Sequence, residues 1–192
     1  MNDFINRFSI LLINPNNGTA DLRSDEDIFD GVIIYGIYTF LTALAAFIES
    51  ITATGSVGAS LIIFIGMLFL NVFLWLIISA VFRILAGLFG GEGGFTHSLR
   101  FVGLAAAPMI ITTVLVFIIT LLSGAAAPED AEFISVVKLA VNVLGMAWGI
   151  PGLICYYGLK NAELLEAGKA LTVTLIVFVV VVGIELFLTG VV

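Results

Sequence analysis

Five long runs without a charged side chain, 31–48, 50–82, 101–128, 139–159 and 170–184, divide this sequence. Spanning the hydrocarbon of a bilayer takes about 20 apolar residues. Every backbone N–H and C=O must there be paired within its own segment, which selects helices. Helices are therefore predicted near 28–50, 59–84, 97–123, 131–159 and 162–188. Two runs reach full length only by taking in Glu49 and Glu185. Composition excludes the soluble alternative: 61% of 192 residues are hydrophobic and 11% charged, against about 25% charged in soluble domains. The expected fold class is all-α, a polytopic membrane bundle of five transmembrane helices. Residues 28–192 form the membrane domain and 1–27 its lead-in.

In the lead-in, Phe4, Ile5, Phe8, Leu11 and Leu12 fall on one helical face, with Asp3, Asn6 and Arg7 elsewhere. That pattern predicts a short amphipathic helix lying in the interface and stopping at Asn14-Pro15. No continuous apolar core or small-residue cleavage pattern marks it as a signal peptide. Ser24 with Asp27 reads as a capping box for the first span. Pro128 with Glu129, Asp130 and Glu132 does the same for the fourth, and Asn161 with Glu163 for the fifth.

Basic residues set the orientation, because Lys and Arg are retained on the cytoplasmic side. Arg7 and Arg23 precede the first helix, Arg83 and Arg100 flank the second connection, and Lys160 and Lys169 flank the fourth. Lys138 alone departs from this pattern. The expectation is a multi-pass protein with a cytoplasmic N-terminus and an extracytoplasmic C-terminus.

A net charge of −7 without a basic patch excludes nucleic acid as a partner. One histidine, His97, and one cysteine, Cys155, cannot assemble a zinc, haem or iron–sulfur ligand set, so no cofactor is expected. Gly90, Gly91, Gly93 and Gly94 surround Glu92 in a glycine-rich turn lacking the Lys and Ser/Thr of a phosphate-binding loop. It reads as a flexible connection on the cytoplasmic side. Asn17-Gly18-Thr19 matches a glycosylation sequon that the topology places in the cytoplasm, unmodified.

Polar groups inside a membrane are costly and are functional hypotheses by default. Counted by helix rise, Glu49, Lys138 and Glu185 share the outer half and could form one charged cluster, structural or lining an ion path. Asn71 and Asn142 share mid-depth and could bond across the bundle. Pro108 and Pro151 are expected to bend the third and fourth helices, and Gly145 with Gly149 forms a GxxxG for close packing.

Taken in order, these features resemble the Yip1-domain family of five-helix membrane proteins. Arg7-Phe8 through Asn14-Pro15 is similar to the family's short amphipathic start. Gly90 to Phe95, then Ser98-Leu99-Arg100 and Ala106-Ala107-Pro108, resembles its glycine-rich turn and small-residue-Pro helix start. Trp148, Gly152-Leu153, Tyr157-Gly158-Leu159 and Gly168-Lys169-Ala170 resemble its fourth helix and the opening of its fifth. The resemblance implies a link, in eukaryotic relatives, to vesicle traffic and Rab-type small GTPases. No Asp-Leu-Tyr-Gly-Pro-like motif or long N-terminal region stands here, so small GTPase binding is not carried over. No catalytic residue is implied.

The functional expectation is a non-enzymatic membrane scaffold or adaptor, partnered by the lipid bilayer and by a second copy or other membrane proteins. The alternative is a channel, transporter or lipid-translocating protein using the outer charged cluster. A hydrated path or lipid-sized groove reaching that cluster would favour the alternative.

Overall fold

The computed structural model describes residues 2–22, 28–123 and 131–188. Among them the secondary structure is helical. Helix α1 (Asn2–Ile13) is followed by the single turn α2 (Pro15–Gly18), and a 3-10 turn covers Ala20–Leu22. Next come α3 (Phe29–Thr54), α4 (Val57–Leu88), α5 (Phe95–Leu104), α6 (Ala107–Ser123), α7 (Ala131–Trp148), α8 (Leu153–Asn161) and α9 (Ala167–Leu188). Five stretches are long and apolar enough to cross a membrane: Phe29–Thr54, Val57–Leu88, Phe95–Leu122, Glu132–Asn161 and Ala167–Ile184. The expected bundle of five spans is thus present, the third and fourth each made of two helices. Ser24, Asp27, Glu129 and Asp130, assigned to helix starts, lie outside the described residues, whereas Glu132 does stand in the first turn of α7.

The α3–α4 hairpin closes the face opposite the N-terminus. Gly55 ends α3 in the left-handed conformation (φ 66°) with its N–H on the Ile51 carbonyl, and the Ser56 hydroxyl accepts from Ala59 N–H to cap α4. Ser60 Oγ then donates to Ser50 Oγ at 3.0 Å, tying the two helices where both hydroxyls are buried. Further down, the Tyr35 hydroxyl donates to the Asn71 carbonyl and its ring stacks on Trp75 at 5.0 Å. Trp75 Nε1 in turn donates to the Leu99 carbonyl of α5.

Short α5 is the axle of the N-terminal half. Ser98 and Arg100 to Leu104 are all buried, because glycines let its neighbours approach. A Cβ on Gly103 would lie 2.6 Å from the Gly31 carbonyl of α3, and one on Gly158 of α8 would lie 2.5 Å from Phe101. Phe82 meets Phe101 edge-on in the same core.

Both proline-bearing spans break rather than merely bend. Ala105 and Ala106 form a turn between α5 and α6, just before Pro108, which can donate no backbone hydrogen bond. Between α7 and α8 the chain passes through a cis Ile150–Pro151 peptide, and Gly152 N–H reaches back to the Met146 carbonyl. The two breaks lie against each other. A Cβ on Gly149 would strike the Ala105 carbonyl, and one on Gly145 would strike Thr112 of α6. The GxxxG pair therefore packs α7 closely on the third span, as its spacing predicts.

The fifth span begins at Ala167, not near 162, because Leu164 adopts a left-handed conformation (φ 55°). Leu165 N–H bonds the Leu159 carbonyl, closing the C-terminus of α8. Helix α1 turns its apolar side onto the protein: Leu11 is 1% exposed within the core while Ile13, on the other side, is 83% exposed.

Candidate functional site

Two polar features stand out in this apolar bundle, one at the face carrying the N-terminus and one in the opposite half. At the first, the chain between α8 and α9 carries Glu163, whose side chain is 0% exposed. A buried carboxylate is tolerable only when its lone pairs are occupied. Here Arg83 of α4 donates from Nη1 to Oε2 at 3.0 Å, and the Ser98 hydroxyl of α5 donates to Oε1 at 2.9 Å. The Glu163 backbone carbonyl accepts from Glu92 N–H, and Arg83 Nη1 also lies 3.4 Å from the Gly91 carbonyl. Four chain segments thus converge on one acid: the end of α4, the glycine-rich turn, the start of α5 and the α8–α9 link.

Glu163 therefore does not open the fifth helix with Asn161, as its sequence position suggested. Its carboxylate is used across the bundle, and α9 starts four residues later. Asn161 is also used elsewhere, its Nδ2 donating to the Asn16 carbonyl at 3.1 Å and to Thr19 Oγ1 at 2.8 Å. Those two bonds fasten the α2 segment to the end of α8. Asn14 caps α2 by accepting from Asn17 N–H, so the Asn14-Pro15 stop does what its composition implies.

The glycine-rich turn is more than a flexible connection. Gly90 holds φ 88°, Gly91 N–H bonds the Ala86 carbonyl, and a Cβ on Gly93 would lie 2.6 Å from the Glu163 carboxylate. Gly94 donates its N–H to His97 Nδ1 at 2.9 Å, which fixes the start of α5 and gives His97 a structural role. Its Nε2 is buried without a hydrogen-bond partner among the described residues.

In the opposite half, a cleft of about 250 Å³ opens between α3, α6 and α7. Its polar lining comprises Tyr38, Thr42, Glu49, Thr112, Thr113, Thr120 and Asn142. Met109 and Met146 form its inner end; one turn further, Ala105 and Ile150 are buried. Of the charged trio Glu49, Lys138 and Glu185, Glu49 borders this cleft and is exposed. Lys138 is half-buried four residues before Asn142, and among the described residues no ion pair joins it to Glu49. The Glu185 side chain lies outside the described residues. Asn71 and Asn142 are not bonded to each other; Asn71 Nδ2 donates to Thr42 Oγ1 at 3.2 Å and to the Met67 carbonyl at 2.9 Å, and Thr42 is the lining residue through which it adjoins the cleft. Among the described residues no group of His, Cys, Asp or Glu is arranged to hold a metal. Cys155 is a buried free thiol.

Comparison with known proteins adds one finding: residues 8–188 match the family profile described as the Yip1 domain. No curated protein and no solved structure matches the chain.

Proposed function

The chain belongs to the Yip1-domain family, and from that premise we propose that it is a non-enzymatic membrane scaffold or adaptor that presents its N-terminal face to the cytoplasm. The observation that carries this reading is the convergence of four chain segments on the buried Glu163 carboxylate. A buried ion pair contributes little net stability against an apolar substitute, but it fixes which segments meet. With α2 fastened by Asn161, it makes the N-terminal face a preassembled platform built from connections that would otherwise move independently. Loop charge supports the orientation, since Arg83, Arg100, Lys160 and Lys169 all lie toward that platform. Its partners are the bilayer and a second copy or another membrane protein.

A transport reading has one observation in its favour, the polar cleft bordered by Glu49. Against it stands the packing beyond the cleft, where Phe82, Phe101, Ala105, Ala106 and Ala107 are fully buried. Purified protein in liposomes separates the readings. A scaffold gives ion flux and lipid scrambling equal to protein-free liposomes, while a photo-crosslinker at exposed Glu92 captures a protein neighbour in cells. Flux or scrambling above that background, lost in Glu49→Gln, would replace the scaffold by a transporter.

A further inference from the structure

We propose that the cleft between α3, α6 and α7 is a binding site for an alkylammonium group, supplied by the headgroup of an aminophospholipid. The inference goes beyond the scaffold reading and concerns a different part of the molecule.

The lining offers hydrogen-bond acceptors beside the Asn142 amide and the Thr113 hydroxyl, which can also donate. Thr42, Thr112 and Thr120 each donate their hydroxyl proton to a carbonyl of their own helix, on Thr39, Met109 and Val116 at 3.0, 3.2 and 2.8 Å. A hydroxyl has one proton and two lone pairs, so Thr112 keeps acceptor capacity for a ligand, as does Thr42 through the lone pair that Asn71 Nδ2 does not take. Glu49 adds the one carboxylate of the lining among the described residues, and no described Lys or Arg lines the cleft. Its carboxylate has no hydrogen-bond or ion-pair partner among the described residues. A carboxylate among neutral oxygens inside a membrane protein favours a cation with several N–H donors, and a primary ammonium has three.

Size and position select the head of a lipid. The cleft's 250 Å³ has room for the aminoethyl end of a headgroup and not for whole acyl chains. Glu49 lies five residues before the end of α3, and Tyr38 eleven residues deeper. At 1.5 Å per residue the cleft therefore begins about 8 Å from the end of α3 and runs roughly 16 Å deeper, with the carboxylate at its shallow end. Ala45, Val116 and Phe117 supply apolar wall between the polar groups. One carboxylate with neutral oxygens is too little charge to hold a divalent cation.

The test uses full-length protein in nanodiscs of equimolar phosphatidylethanolamine and phosphatidylcholine, with retained lipid identified by native mass spectrometry. The two lipids carry the same net charge, but only phosphatidylethanolamine brings N–H donors. Wild type should retain it in preference by about tenfold, the worth of one charge-assisted hydrogen bond. Glu49→Gln and the cleft-filling Thr113→Leu should bring the ratio near one, with Glu49→Gln leaving the thermal midpoint in pure phosphatidylcholine nanodiscs unchanged. Added dodecylammonium should displace the retained lipid. Glu49-dependent binding of dodecylammonium without a lipid preference would support the same site with a free amine as its source. A preference that survives Glu49→Gln, binding of neither amine, or Glu49-dependent binding of sodium alone would overturn the proposal.

Discussion

Arg83 and Glu163 meet at 3.0 Å across 80 positions of sequence, the acid wholly buried and the arginine side chain 32% exposed. Their exposures make the pair asymmetric. Arg83 keeps access to water if its partner is removed, whereas Glu163 would be left as a buried charge held, among the described residues, by the Ser98 hydroxyl alone. The cost of burying an uncompensated carboxylate falls mainly on the loss of Arg83.

Gly93 should tolerate no side chain. Its Cβ would lie 2.6 Å from the Glu163 carboxylate, so Gly93→Ala must push the acid off Arg83 or lift the turn. A loss of about 1–3 kcal/mol is expected, the usual cost of overpacking a tight site. Gly36→Ala is the control, since among the described residues no atom beyond its own helix backbone lies within 4 Å of that added methyl group. Thermal unfolding in detergent should separate the two, and equal midpoints would show that the turn does not rest on Glu163.

Asn161→Ala removes the bonds to the Asn16 carbonyl and to Thr19 Oγ1. At about 0.5–1.5 kcal/mol each, their loss should release the α2 segment locally without unfolding the bundle. Hydrogen exchange should rise at Asn17 to Thr19 and stay unchanged in α4. Unchanged protection in both places would mean that α2 is held by its apolar contacts alone.

The orientation is tested by single cysteines in a Cys155→Ala background, which removes the buried native thiol. Ser56→Cys should react with an impermeant reagent added to sealed cells, and Glu92→Cys only after permeabilisation. Both native side chains are exposed at their turns, so accessibility in the fold is not limiting. Labelling of Glu92→Cys alone in sealed cells would reverse the topology.

The five spans were legible because charge is so costly in hydrocarbon that its absence over long runs leaves few alternatives. The packing glycines Gly145 and Gly149 were legible for a similarly local reason, their spacing on one helix face. The Arg83, Ser98 and Glu163 network was not legible. Each member has an adequate local explanation, Arg83 as a topology signal and Glu163 as helix-start chemistry, and a pairing across 80 residues leaves no periodic trace. One clue was available: Arg83 closes an apolar run with no acid within a helical turn of it. The asparagines show the same limit, since similar depth did not make Asn71 and Asn142 partners. Asn71 found Thr42 instead.

A double-mutant cycle on Arg83→Met and Glu163→Gln tests most directly whether this pair organises the N-terminal face. Thermal and denaturant unfolding of wild type, both single variants and the double variant supply the four corners. Arg83→Met alone should cost the most, about 3 kcal/mol or more, as expected when a buried charge loses its partner. The double variant should be more stable than Arg83→Met, giving a coupling of about 1–3 kcal/mol. Losses that simply add, with the double variant the least stable of the four, would contradict a direct and energetically coupled pair.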